Sequence, residues 1–201
     1  MDSGRSRSEG SAATWPGFLR GQSSDEIFCR LREHDPLRLR ESAARRLREV
    51  WYLLEPERVF LRSLAVVAEH ARLDDPPADL AAWARSKVDV AIERLLRLDL
   101  EAERTRPGVL TDEERDFPLL IESLRVEPES VRRVAVAFNA LDAPPRRAFF
   151  ELLIEGKEVG PVIEAGPWDM DELYRSIHAA LAVFGLDIPV TPDPVRGKEN
   201  A

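Results

Sequence analysis

A single cysteine, Cys29, stands in 201 residues, so no internal disulfide can form and the cross-linked secreted scaffolds are excluded. A reducing, cytoplasmic setting is the expectation. Paired-cysteine metal sites are absent too. The three histidines, His34, His70 and His178, lie far apart in the chain and lack ligand spacing, so they read as surface or packing residues. No phosphate-cradling loop, dinucleotide fingerprint, H-E-x-x-H or G-x-S-x-G occurs. No catalytic residue, metal or cofactor is therefore expected. No apolar run approaches the roughly 18 residues of a membrane span, and the polar start MDSGRSRSEGSAA has no signal-peptide core. Aromatics make up 7% and glycine only 10 residues, which argues against a β-sandwich. Lysine is nearly missing, with three against 26 arginines.

What remains is rich in Leu, Ala, Arg and Glu, a helix-forming mixture. The expected fold is all-α, with two small helical domains. The net charge of −8 is uneven. Residues 105–201 carry 18 acids against 11 bases, whereas residues 30–62 hold nine arginines against six acids. Nucleic-acid binding by charge alone would need clustered Lys and Arg, and only the N-terminal part offers them.

The pattern divides the chain into a polar, disordered tail (1–24), a helical domain (25–103), an acidic linker (104–128), a second helical domain (129–186) and a Pro-rich, charged tail (187–201). Ser23–Ser24–Asp25 caps a first helix with Ile27, Phe28 and Leu31 inward, and places Cys29 in its apolar stripe. Pro36 opens a second helix, with Ala43, Leu47, Val50, Trp51 and Leu54 on one face. Its arginines (Arg40, Arg45, Arg46, Arg48) are either a contact for nucleic acid or an acidic protein, or a solvated face with pairs such as Glu41–Arg45. Pro56 starts a third helix, with Phe60, Leu64, Val67 and Ala71 inward. Asp74–Pro77 breaks the chain. A fourth helix follows to about Glu103, with Leu80, Ala84, Val88, Ala91, Ile92, Leu95 and Leu98 on one side. Within the linker, Phe117 to Leu124 reads as a short helix. Pro128 opens a helix with Val131, Val134, Ala135 and Phe138 inward.

Residues 141–181 then give three helical segments with two breaks. Phe149–Ile154 stops at Gly156. Val159, Val162 and Ile163 stop at Gly166–Pro167. The third starts at a capping Asp169, whose neighbouring acids suit a helix N-terminus better than a metal, and carries Met170, Leu173, Ile177, Ala180, Leu181 and Phe184. The expected core includes Phe60, Leu64 and Trp83 in the first domain, and Phe149, Leu153, Ile163, Trp168 and Ile177 in the second.

This last pattern resembles the C-terminal helix-turn-helix domain of bacterial RNA polymerase sigma factors of the extracytoplasmic-function type. Leu141, Pro144, Arg147, Phe149, Phe150, Gly156, Val162, Leu173, His178, Ala180 and Leu181 fall in register with it. Pro161 replaces the family's Glu, and Glu172, Tyr174, Ser176 and Ala179 occupy its basic and hydroxyl positions. Residues 57–62 resemble the family's helix for the polymerase β′ clamp, and residues 77–97 its next helix, through Trp83, Leu96 and Arg97. The resemblance implies a protein that binds RNA polymerase core, at the β′ clamp and β flap, and directs or modulates promoter recognition. The polymerase contacts would be Glu57, Arg58, Leu61 and Arg62. The DNA contacts would be Tyr174, Arg175, Ser176, His178, Arg146, Arg147, Trp83 and Arg97, with weak binding because the reading helix is acidic. An anti-sigma protein is a further implied partner. The alternative is a diverged sigma-like helical protein acting through protein contacts without specific DNA binding.

Overall fold

The computed structural model describes residues 21–71, 79–107 and 117–186. The expectations for residues 1–20, for the Asp74–Pro77 break, for the acids at 112–116 and for the tail from Asp187 lie outside them. The architecture is all-helical, with no strand among the described residues. The α-helices are α1 (Ser24–His34), α2 (Leu39–Val50), α3 (Pro56–His70), α4 (Leu80–Thr105), α5 (Val131–Asn139), α6 (Ala143–Phe149), α7 (Val159–Ala165) and α8 (Met170–Val183). Two π-helical turns, Leu119–Ser123 and Phe150–Ile154, and a 3-10 turn, Pro128–Ser130, complete the list.

The chain divides into two compact units, the first made of residues 1–47 and 54–98 and the second of residues 48–53 and 99–201. The expected division at 104–128 is displaced. Of that stretch, Phe117 and Leu120 are buried in the core of the second unit. Residues 48–53, the last turn of α2 and the turn after it, also belong there, although the rest of α2 and α3 belong to the first.

In the first unit, α1 begins with a reciprocal cap: Glu26 N donates to Ser23 Oγ at 3.2 Å and Ser23 N to Glu26 Oε2 at 2.8 Å. Pro36 does not open α2. Asp35 does, accepting from Leu39 N at 2.7 Å and Arg40 N at 3.0 Å, because a carboxylate can satisfy two orphan donors at once. Pro56 sits in the first turn of α3, where a missing N–H costs nothing. Phe60, Leu64 and Val67 are buried as the 3.6-residue period requires. Three other expectations fail. Cys29 is exposed, because Ile27 and Leu31 define the inward line of α1. Trp83 is half-buried; it lies one residue off the Ala84–Val88–Ala91 stripe, and the Lys87 ammonium covers its ring at 5.0 Å. Leu98 is 41% exposed, because the buried line of α4 runs from Leu95 to Asp99, one turn on, and Leu98 lies one residue off it.

In the second unit, α8 packs along α6 and against α5, and α7 packs on the Phe150–Ile154 turn. Phe138 and Phe149, both fully buried, sit at the centre of a ring cluster. Phe149 meets Phe138 edge-on at 5.0 Å and stacks on Phe184 at 5.0 Å. Leu153, expected inside, is 48% exposed. The π-helical turn holds one extra residue, closed by Glu155 N to Phe150 O at 2.8 Å, so the side chains beyond it shift in phase. Glu151 becomes buried and Leu152 turns in against Val162 and Trp168. Ile163 and Ile177 are half-buried against the two apolar clusters, and Met170 is exposed.

Candidate nucleic-acid interface

Two of the cations expected to meet DNA from the second unit, Arg146 and Arg147, are engaged within it. Arg146 is 8% exposed, and its guanidinium carbon lies 3.8 Å from the centre of the Tyr52 ring. Its Nε and Nη1 are buried without a hydrogen-bond partner. Burial, the largest influence, lowers its pKa, while Tyr52 and Asp142 act in the other direction. Arg147 lies over Trp168 at 4.8 Å and Trp51 at 5.4 Å. It also donates from Nε and Nη2 to Glu151 at 3.1 and 3.4 Å. Lys157 closes the group, reaching Glu151 at 3.2 Å and Glu155 at 2.8 Å. Those two carboxylates, Glu155 first, raise its pKa.

Helix α8 carries the other expected contacts. Ser176 is buried and is thereby withdrawn from any duplex. Tyr174 and Arg175 are exposed and His178 is half-buried. The Arg175 Nε donates back to the Asp171 carbonyl at 3.3 Å. At the N-terminus of α8, Glu172 N donates to Asp169 Oδ1 at 2.8 Å and Asp169 N to Glu172 Oε2 at 3.2 Å. The positive end of the helix dipole is therefore already met by the chain's own carboxylates, and phosphate gains little there.

In the first unit, Glu57 holds Arg40 through both carboxylate oxygens, and Arg46 Nε donates to Asp89 at 2.6 Å. The arginine-rich α2 thus pairs with carboxylates of α3 and α4, and Glu41 meets Arg38 at 2.5 Å. Arg58, Leu61 and Arg62 are half-buried, and Arg97 is exposed.

The segment Trp51–Tyr52–Leu53 is the structural feature that sequence reading missed. Trp51 and Tyr52 cover the two arginines, and Leu53 is buried in the core. The side chain of Asn139 takes Leu53 N at 2.7 Å and gives to Leu53 O at 3.0 Å. In sequence Trp51 continues the apolar face of α2 with Leu47 and Val50. Trp51 at φ 53° ends it instead, a backbone state that L residues seldom adopt.

A shallow groove of about 420 Å³ opens between the first turn of α6 and the start of α8, lined by Pro144, Pro145, Pro167, Trp168, Glu172, Arg175 and Ser176. Its floor depends on Gly166. A Cβ there would stand 2.4 Å from Trp168 Cε3 and 2.8 Å from the Val162 carbonyl oxygen. The backbone at Gly166 is ordinary extended chain, so glycine is needed for room, not for conformation. Gly166→Ala is expected to cost about 1–3 kcal/mol in urea unfolding and to change Trp168 fluorescence.

Among the described residues no three His, Cys, Asp or Glu side chains gather as a metal site, and no helix is long and apolar enough to cross a membrane. No family model, curated protein or solved structure matches the chain.

Two buried nitrogens without hydrogen bonds, Nε and Nη1, make Arg146 a liability in the folded state. Arg146→Met keeps the apolar stem and removes the charge, so the chain is expected to become more stable by about 1 kcal/mol. Equilibrium denaturation measures it. A loss of stability would show that the guanidinium is better satisfied than its geometry indicates.

Proposed function

We propose that this chain is a non-enzymatic, sigma-factor-like helical protein that acts by docking on a protein partner and makes no specific duplex contact of its own. In this reading α6, α7 and α8 form the helix-turn-helix and the two units are its two domains. The partner that the resemblance names is RNA polymerase core, met through Glu57, Arg58, Leu61 and Arg62, in the cytoplasm. An anti-sigma protein is a second candidate. The observation that carries the reading is the engagement of Arg146 and Arg147 inside the second unit, under Tyr52, Trp51 and Trp168. DNA affinity comes largely from Lys and Arg at phosphates, and these two are withheld.

One observation favours direct promoter recognition instead. Tyr174 and Arg175 are exposed on α8 and His178 is half-buried one turn on, at the spacing a major-groove helix uses. Fluorescence anisotropy of the full chain with random and promoter-like duplexes, run beside a pull-down with polymerase core, separates the two. Capture of core with no sequence-selective DNA binding supports docking. Sequence-selective binding lost in Arg175→Ala supports promoter reading, and failure of both assays defeats the sigma-like assignment altogether.

A further inference from the structure

We propose that the exposed apolar ridge formed by Leu153, Ile154 and Val159 is a docking surface for a basic amphipathic helix of a partner protein. The ridge has its origin in the backbone. The π-helical turn Phe150–Ile154 shifts the phase of the side chains beyond it, and it leaves Leu153 48% and Ile154 36% exposed. The chain then bends at Gly156, φ 64°, where Lys157 N donates to the Glu151 carbonyl at 2.9 Å. After this short turn α7 begins at Val159, which is 37% exposed.

The three side chains continue an apolar line that is already buried further in. Leu152 and Val162 belong to the small cluster with Trp168 and Leu173. Val159 stands one turn before Val162 on the same side of α7, and Leu153 and Ile154 follow Leu152 out of that cluster. Single exposed apolar residues are ordinary on a protein surface. Three around one bend, two of them turned outward by a rare departure from the α-helix, are the pattern of a surface that a partner covers.

The charges around the ridge specify that partner. Residues 151–164 hold Glu151, Glu155, Glu158 and Glu164 against one base, Lys157. Lys157 is engaged by Glu151 at 3.2 Å and Glu155 at 2.8 Å. Glu155, Glu158 and Glu164 are exposed, and the carboxylates of Glu158 and Glu164 meet no cation among the described residues. An apolar ridge among such carboxylates is complementary to a helix whose apolar stripe is flanked by Lys or Arg. A phosphate backbone is repelled by the same groups. The ridge lies in the second unit and the residues 57–62 in the first, so this surface and the polymerase reading can each fail without the other.

The test titrates a synthetic helical peptide of Leu and Lys, about 14 residues long with Leu at i, i+3, i+4 and i+7, into the ¹⁵N-labelled full chain at near-physiological salt. Control peptides carry Glu for Lys, or Ser for Leu. The expected result is a saturable shift of the amide resonances of residues 151–164 with the Leu–Lys peptide alone. Leu153→Gln, Ile154→Gln and Val159→Gln together are expected to weaken binding about tenfold, with circular dichroism showing that the helices persist. These changes leave the net charge alone, so they separate the ridge from general attraction to an acidic chain. Should the triple variant lose helix, Leu153→Gln alone makes the same comparison. Glu158→Gln with Glu164→Gln is expected to flatten the salt dependence of binding. No shift, equal binding by the ridge variants or by a control peptide, or shifts spread over other acidic parts of the chain overturns the proposal. So does self-association of the parent that the ridge variants lose in sedimentation, because the occupant would then be a second copy.

Discussion

Phe149→Ala is expected to lower the stability of the second unit by about 3–5 kcal/mol. Phe149 is fully buried. It touches Phe138 edge-on, stacks on Phe184 and meets Phe150 at 6.0 Å. Truncation removes the apolar transfer energy and leaves a void that α6 and α8 cannot close without moving along each other. A whole domain is commonly stable by only about 5–15 kcal/mol, so the variant should unfold at much lower urea than the parent. The measurement is urea unfolding followed by circular dichroism. A change below about 1 kcal/mol would mean that the site collapses easily and is not the centre of the core.

Leu53→Ala is expected to cost about 2–5 kcal/mol and to act on the second unit, although Leu53 lies 86 residues before Asn139. Its side chain is 1% exposed, within the cluster of Phe138, Phe149 and Leu181. Its backbone N–H and carbonyl both meet the Asn139 amide. The signature is a loss of order around Trp51 and Trp168 together, seen as coincident changes in their indole resonances. If Leu53→Ala disturbed only residues of the first unit, the grouping of 48–53 with 99–201 would be wrong. The same grouping means that a fragment starting at residue 125 lacks Leu53, Phe117 and Leu120 from its core. DNA binding is therefore better measured on the full chain.

Helix existence was legible because it is a local property. Pro56 at the start of α3, the capping Asp169 and the Val131–Val134–Ala135–Phe138 stripe each act within one or two turns. Leu153 was not legible, because period-3.6 reasoning assumes an α-helix and the π-helical turn at Phe150–Ile154 changes the phase. Cys29 and Leu98 failed for a related reason: an apolar stripe says which residues share a face, but its edges are set by the neighbour that covers it. The candidate site shows the same limit. Arg146 and Arg147 stood in the sequence as adjacent cations, and nothing near them announces that Tyr52 and Trp51 cover both.

By itself, the sequence determined an all-helical chain without a disulfide framework, and it placed the cap of α8 and most of the buried helix faces. These follow from residue type and spacing over a few residues. Only the tertiary structure decided that Trp51–Tyr52–Leu53 belongs with the C-terminal core, that Arg146 and Arg147 lie beneath aromatic rings, and that three prolines and Trp168 line a groove. The physical reason is range. Backbone preference and helical period act over one or two turns, whereas the burial of a charge and the shape of a groove depend on groups that meet only after the chain has folded.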